Sequence, residues 1–114
     1  MLDELEARNR KFIKLLEEAI RQSNHEVIDP MLPPLTIESI LPIAIMVARL
    51  RGRYISETFK LVSSLGGGFP DKDQVAKLRE YREAYEETQA ASQALEQAID
   101  RGYLELAELT SGTG

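Results

Sequence analysis

The sequence predicts an all-α fold, an antiparallel three-helix bundle that runs up, down and up, with coiled-coil-like packing of a long C-terminal helix. Apolar residues recur at three- and four-residue steps through three long segments, which is the period of amphipathic helices. Most of the prolines and a run of three glycines lie between those segments, where helices end. Since 114 residues suit one domain, we expect a single helical domain over residues 1–110 and a flexible tail over 111–114.

The first helix is predicted over residues 3–24, which contain no glycine or proline. Its apolar stripe predicts packing on a core. The stripe consists of Leu2, Leu5, Asn9, Phe12, Ile13, Leu16, Ala19, Ile20 and Ser23. A connector over residues 27–36 follows, in which three prolines alternate with apolar side chains. We expect this connector to lie flat across one end of the bundle and to cover apolar surface.

The second helix is predicted over residues 39–65. A start at Ser39 places Pro42 in the first turn, where a missing N–H has no partner to lose, whereas a start at Thr36 requires a kink. Gly66 suits the position just after the helix, and Pro70 cannot continue it. One face of this helix is apolar, and we expect it to be buried. That face comprises Ile40, Leu41, Ala44, Val47, Ala48, Ile55, Phe59 and Val62.

The third helix is predicted over residues 72–101, with Asp71 and Gln74 spaced as a capping box. A heptad seam follows and predicts core packing of the coiled-coil type. The seam runs through Gln74, Leu78, Tyr81, Tyr85, Thr88, Ser92, Leu95, Ile99, Gly102 and Leu106. The tyrosine hydroxyls need partners, and Thr88 or Ser92 can supply them. A parallel row of alanines, at 84, 91, 94 and 98, predicts close approach of a second neighbour. Beyond Gly102 we expect a short helical turn over residues 103–109.

The stretch from Ile40 to Ala48 contains only apolar residues and one proline. A membrane span needs about 20 apolar residues, so we expect no span here. A helix that is apolar nearly all round is buried on nearly all sides, which a three-helix monomer does not provide. We therefore expect cover from the connector and from a second subunit in a homodimer. The candidate interface consists of Ile43, Ile45, Met46 and Leu50.

Arg51 projects onto the apolar face of the same helix, between Val47 and Ile55. A buried charge without a partner is costly. Three roles are compatible with this position: the guanidinium reaches the end of the bundle, it forms a buried ion pair with a carboxylate, or it binds an anionic ligand.

The composition excludes several kinds of chemistry. The net charge of −5 disfavours nucleic acid as a partner, and the absence of cysteine excludes disulfides and thiolate metal sites. His25 is the only histidine, and the glycine run at residues 66–68 lacks the lysine of a phosphate-binding loop. We predict no metal, no cofactor, no catalytic residues and no small-molecule ligand. The charged N-terminal stretch does not resemble a signal peptide, so we expect a cytoplasmic protein.

These observations favour a non-enzymatic helical interaction module, such as an adaptor, a chaperone-like protein or a regulatory protein. Its partners would be a second copy of itself and a helix of another protein. One alternative is a small all-helical enzyme or sensor that binds an anionic metabolite near Arg51. A weaker alternative is a nucleic-acid-associated regulator that uses Arg49, Arg51 and Arg53.

Overall fold

The computed structural model describes residues Met1–Ala107 and confirms the all-α fold class. Of this part of the chain 82% is helical, and it contains three α-helices and no β-strand. The helices are α1 (Leu2–Ile28), α2 (Ile37–Leu65) and α3 (Lys72–Asp100), and a 3-10 turn (Asp29–Met31) follows α1. Helices α2 and α3 pack closely as an antiparallel pair, which we call the α2–α3 hairpin.

The chain divides into two compact units, and the boundary between them falls within α3. The first unit comprises Met1–Thr36 together with the chain from Glu96 onward, so it contains α1, the connector and the end of α3. The second unit, Ile37–Leu95, is the α2–α3 hairpin.

Helix α1 continues through Ile28, four residues beyond the predicted end. No glycine or proline interrupts residues 3–28, and the side-chain amide of Asn24 donates a hydrogen bond to the carbonyl of Ile20 at 2.9 Å. Pro30, whose ring restricts the residue before it, coincides with the change to a 3-10 turn. The connector covers less apolar surface than we expected, because Leu35 is buried but Val27 and Met31 are exposed.

Helix α2 begins at Ile37, so Pro42 lies inside the helix and the predicted start at Ser39 is wrong. Proline has no N–H to donate to the carbonyl four residues earlier, here that of Glu38. Glu38 lies in the exposed first turn, where water can bind that carbonyl. At the other end, Gly66 adopts the positive φ of 53° that a residue after a helix often takes, as predicted.

The first turn of α3 has the hydrogen bonds that its sequence predicts. At the start, the N–H of Gln74 donates to Oδ1 of Asp71 at 2.8 Å, and the N–H of Asp71 donates to Oε1 of Gln74 at 2.9 Å. This reciprocal pair is the predicted capping box. The helix ends at Asp100, and Gly102 follows it with a φ of 76°.

Backbone hydrogen bonds around Gly102 form a Schellman motif. The N–H of Tyr103 donates to the carbonyl of Ala98 at 2.9 Å, and the N–H of Gly102 donates to that of Ile99 at 3.1 Å. Beyond this motif the chain is not helical through Ala107, so the short turn expected over residues 103–109 is wrong for 103–107. Residues 108 and 109 and the expected tail lie outside the described part of the chain.

An apolar clasp holds the first unit together. Leu35 and Leu104 are buried, Leu35 and Leu106 form an isolated parallel bridge, and the N–H of Ala107 donates to the carbonyl of Leu35 at 2.8 Å. These contacts tie the connector to the segment after α3. No residue of α1 itself is buried.

The heptad seam of α3 is half-buried along the described helix and contains no fully buried residue. The half-buried positions include Leu78, Tyr81, Tyr85 and Leu95, as a helix in contact with a neighbour requires. In the row of alanines, positions 91 and 94 are exposed, so that row does not contact a second neighbour there.

Candidate interaction surfaces

The predicted interface on α2 divides between two sides of the helix. Ile43 and Leu50 are half-buried and lie on the same side as Val47, which is buried. Ile45 and Met46 are exposed to 42% and 45%. Of the four residues of the predicted interface, only Ile45 and Met46 therefore offer apolar surface to another molecule.

A longer exposed surface runs along α2 and includes residues that we expected to be buried. Large apolar side chains recur on this side at spacings close to whole helical turns, so they form one stripe. The outer stripe of α2 consists of Ile37, Leu41, Ile45, Ile55, Phe59 and Val62, all of them exposed. Ala44 and Ala48 lie on the same side and are also exposed. The sequence identified much of this face as apolar, but it did not show that the face lies away from α3.

The apolar stripe of α1 is also uncovered. Phe12 is 64% exposed, and Leu5, Leu16 and Ile20 are exposed as well. The segment after α3 contacts a different face of α1, where Gly102 lies against Arg21 and Nε2 of His25 is 3.6 Å from Oε1 of Glu105. The segment after α3 therefore lies against the polar side of α1, whose apolar side is exposed. That Nε2 atom is buried and has no hydrogen-bond partner among the described residues.

Arg51 contacts a tyrosine instead of a carboxylate. It is exposed, its Nε donates to the hydroxyl of Tyr85 at 3.1 Å, and its guanidinium carbon lies 5.2 Å from the centroid of that ring. No carboxylate of residues 1–107 forms an ion pair with it, so within this part of the chain the buried ion pair is not formed. Thr88, which we expected to bind a tyrosine hydroxyl, instead donates to the backbone carbonyls of Ala84 and Tyr85.

A second cation–aromatic contact lies further along the hairpin. The guanidinium carbon of Arg53 is 4.7 Å from the centroid of Tyr81, and Nζ of Lys77 is 5.7 Å from the same centroid. The rings of Tyr54 and Tyr85 are 6.5 Å apart and inclined at 30°. Each contact of this type at an exposed position contributes about 0.5–1 kcal/mol. The tyrosines thus hold two arginines close to the hairpin surface while leaving most of their N–H donors accessible to water.

A groove of about 240 Å³ lies between α2 and α3 next to Tyr81. We call it the hairpin groove. Leu61, Leu78 and Tyr81 supply apolar lining, and the polar lining residues are Glu57, Lys60, Ser64, Gln74 and Lys77. The sequence does not predict this groove, because it forms only where the two helices meet. The heptad positions of Leu78 and Tyr81 were the only sequence signal for it.

An ion pair between Glu18 and Arg21 on the surface of α1 lowers the pKa of Glu18. Both side-chain nitrogens of Arg21 that face Glu18 donate to its carboxylate, and the Nε bond measures 3.1 Å. The hydrogen bonds from Arg21 hold the pKa of Glu18 below its ordinary value, and the positive charge of Arg21 adds to this effect. Both side chains are exposed, so the pair has little bearing on stability.

No family model, no curated protein and no solved structure matches this chain. None of the helices within residues 1–107 combines the length and the apolar character needed to cross a membrane. In the same range, no three side chains of the His, Cys, Asp or Glu type come together where they could hold a metal ion.

Proposed function

We propose that this protein is a non-enzymatic helical interaction module that self-associates as a homodimer through the outer stripe of α2. The observation that carries the proposal is the exposure of large apolar side chains along α2, from Ile37 to Val62. Exposed apolar surface that is contiguous rather than scattered is typical of protein–protein contact sites. A helix that presents such a stripe can pack against another helix by ordinary side-chain interdigitation.

The character of the stripe favours a protein partner over a small molecule. Small-molecule sites are concave and combine apolar lining with a few convergent polar groups. The outer stripe is the convex side of a helix, and its side chains are aliphatic or aromatic. A second copy and a partner helix both suit such a surface. We also propose that the protein acts in the cytoplasm.

The alternative of a sensor for an anionic metabolite depends on Arg51. Its guanidinium has no carboxylate partner within residues 1–107, so its terminal N–H groups are accessible to a ligand. It is, however, one cation on an exposed surface. Selective binding of a small anion generally needs several convergent groups, and this favours the interaction module.

Substitution of Ile45 tests self-association. Ile45→Glu places a charge on the outer stripe, and an apolar contact cannot bury it without a partner. We expect the wild type to sediment as a dimer at micromolar concentration and the variant to sediment mainly as a monomer. Ala94→Glu introduces the same side chain at an exposed position of α3, away from the outer stripe, and should leave the dimer intact. A wild-type protein that stays monomeric up to millimolar concentration would contradict the proposal.

A further inference from the structure

Two cations, Lys60 and Lys77, line the hairpin groove, and a third, Arg53, lies beside it on the ring of the lining residue Tyr81. Nζ of Lys60 lies 3.4 Å from Oε1 of Glu57, and Nζ of Lys77 lies 3.8 Å from Oε2 of Glu80. Arg53, which stacks on Tyr81 at the edge of the groove, forms no ion pair with any carboxylate of residues 1–107. The groove thus combines apolar lining with an uncompensated guanidinium at its edge.

This combination suits an apolar side chain that is followed closely by a carboxylate. A cavity of about 150 Å³ is large enough to hold benzene, so the 240 Å³ of the groove can accept an aliphatic side chain. A planar guanidinium binds a carboxylate with two parallel hydrogen bonds. Contact with Tyr81 already restricts the position of Arg53, which lowers the entropy lost when it binds a partner.

The N-terminal turn of α1 has the complementary character. Residues 1–6, MLDELE, contain three acidic residues and no lysine or arginine, and none of the acids forms an ion pair within residues 1–107. Leu2 and Leu5 are exposed to 74% and 52%. Acidic residues here also complement the helix dipole, but that effect does not account for two exposed leucines beside them. Leu2 and Glu6 are one helical turn apart and therefore lie on the same side of α1.

We infer that the N-terminal turn of α1 from a second copy of the chain docks in the hairpin groove. Leu2 and Leu5 contact the apolar lining, and Glu6 pairs with Arg53. This inference rests on the proposed self-association and adds a second contact, with a charged component, to the same assembly. The acidic turn attracts the guanidinium of Arg53 electrostatically. Because salt screens this attraction, the contact should weaken as the salt concentration rises.

Charge reversal and its rescue test the contact on the full-length chain. Sedimentation equilibrium at low and high salt gives the dimer dissociation constant of each variant, and circular dichroism checks its helical content. We expect Arg53→Glu and Glu6→Arg each to weaken the dimer about tenfold, since each converts an attraction into a repulsion. The double variant Arg53→Glu/Glu6→Arg should regain most of the wild-type affinity. Arg79→Glu and Glu17→Arg make the same charge changes at exposed positions outside the groove and the N-terminal turn, and they should change the dissociation constant less than twofold.

The outcomes separate this inference from the proposal on which it rests. If the wild type dimerises but Arg53→Glu has no effect, or the double variant shows no rescue, the docking contact is wrong and self-association stands. If Arg79→Glu weakens the dimer as much as Arg53→Glu does, net charge accounts for the effect and the contact is again wrong. If the wild type is monomeric at all concentrations, both are wrong.

Discussion

The two units of this protein hold their helices in different ways. In the α2–α3 hairpin, contacts between the helices run along the seam, with half-buried side chains and arginines stacked on Tyr81 and Tyr85. In the first unit, the apolar contacts are concentrated in a clasp at one end, where Leu35 and Leu104 are buried. Helix α1 has 27 residues and none of them is buried.

This difference shows that helix formation and helix burial have separate causes. Helix α1 has the period, the acidic first turn and the uninterrupted length that favour a helix, so local sequence specifies it. Its apolar stripe stabilises the fold only when another surface covers it. The hairpin obtains part of that cover from its own second helix. The first unit does not, and the exposed stripe of α1 is the result.

The largest effect is expected at the clasp. Leu104 is 5% exposed, so Leu104→Ala should lower the free energy of unfolding by about 2–5 kcal/mol, through lost burial and the cavity left behind. Phe12→Ala is the matched change on the exposed stripe of α1 and should cost far less in dilute, monomeric protein. Urea denaturation followed by circular dichroism measures both. Equal losses at the two positions would show that α1 is covered in solution and would remove the contrast between the units.

Two glycines should respond with opposite signs. Gly102 has a φ of 76°, which is unfavourable for any residue with a Cβ, so Gly102→Ala should destabilise the protein by about 1–2 kcal/mol. An added Cβ would also lie 3.2 Å from Cδ of Arg21, although that flexible side chain can move. Gly52 lies inside α2 with nothing within 4 Å of an added Cβ, so Gly52→Ala should stabilise by about 0.5–1 kcal/mol. Thermal unfolding of the two variants measures both changes in stability. If Gly102→Ala stabilises the protein, the Schellman motif is not formed.

The smallest effect is expected at Arg51. Arg51→Met removes the contact with Tyr85 and should lower the free energy of unfolding by about 0.5–1 kcal/mol, because the contact is exposed. We expect small anionic metabolites to leave the melting temperature of both proteins unchanged in a thermal-shift screen. An anion that stabilises the wild type and not Arg51→Met would instead favour the sensor hypothesis.

Local signals predicted several features of the fold correctly. The capping box at Asp71 and Gln74 and the glycine after α2, Gly66, involve residues close in sequence, whose backbone geometry is set by short-range sterics and hydrogen bonds. The preferred start of α2 at Ser39 is two residues too late, because it was chosen to place Pro42 in the first turn; the helix begins at Ile37, next to the alternative start at Thr36. A long apolar helix can tolerate Pro42 when the carbonyl that loses its partner lies in an exposed turn.

The candidate sites were predicted less well, since they depend on which faces of the helices meet. The sequence identified Arg51 as unusual, but the partner of its guanidinium is 34 positions away, at Tyr85. Ile45 and Met46 are exposed as a partner surface requires, whereas Ile43 and Leu50 are partly covered. The hairpin groove was not foreseen, because its lining comes from two helices that approach each other only in the fold.

The sequence by itself determined that this protein consists of helices, where most of them end, and that their apolar stripes exceed what one short chain readily covers. Those properties follow from periodicity, capping and composition, which act over a few residues. Only the tertiary structure decided that Leu35 and Leu104 are buried, that the outer stripe of α2 is exposed, and that arginines stack on tyrosines across the hairpin. A helix with apolar side chains on several sides can be buried on any of them. Long-range packing decides which side is buried, because alternative sets of contacts compete with one another.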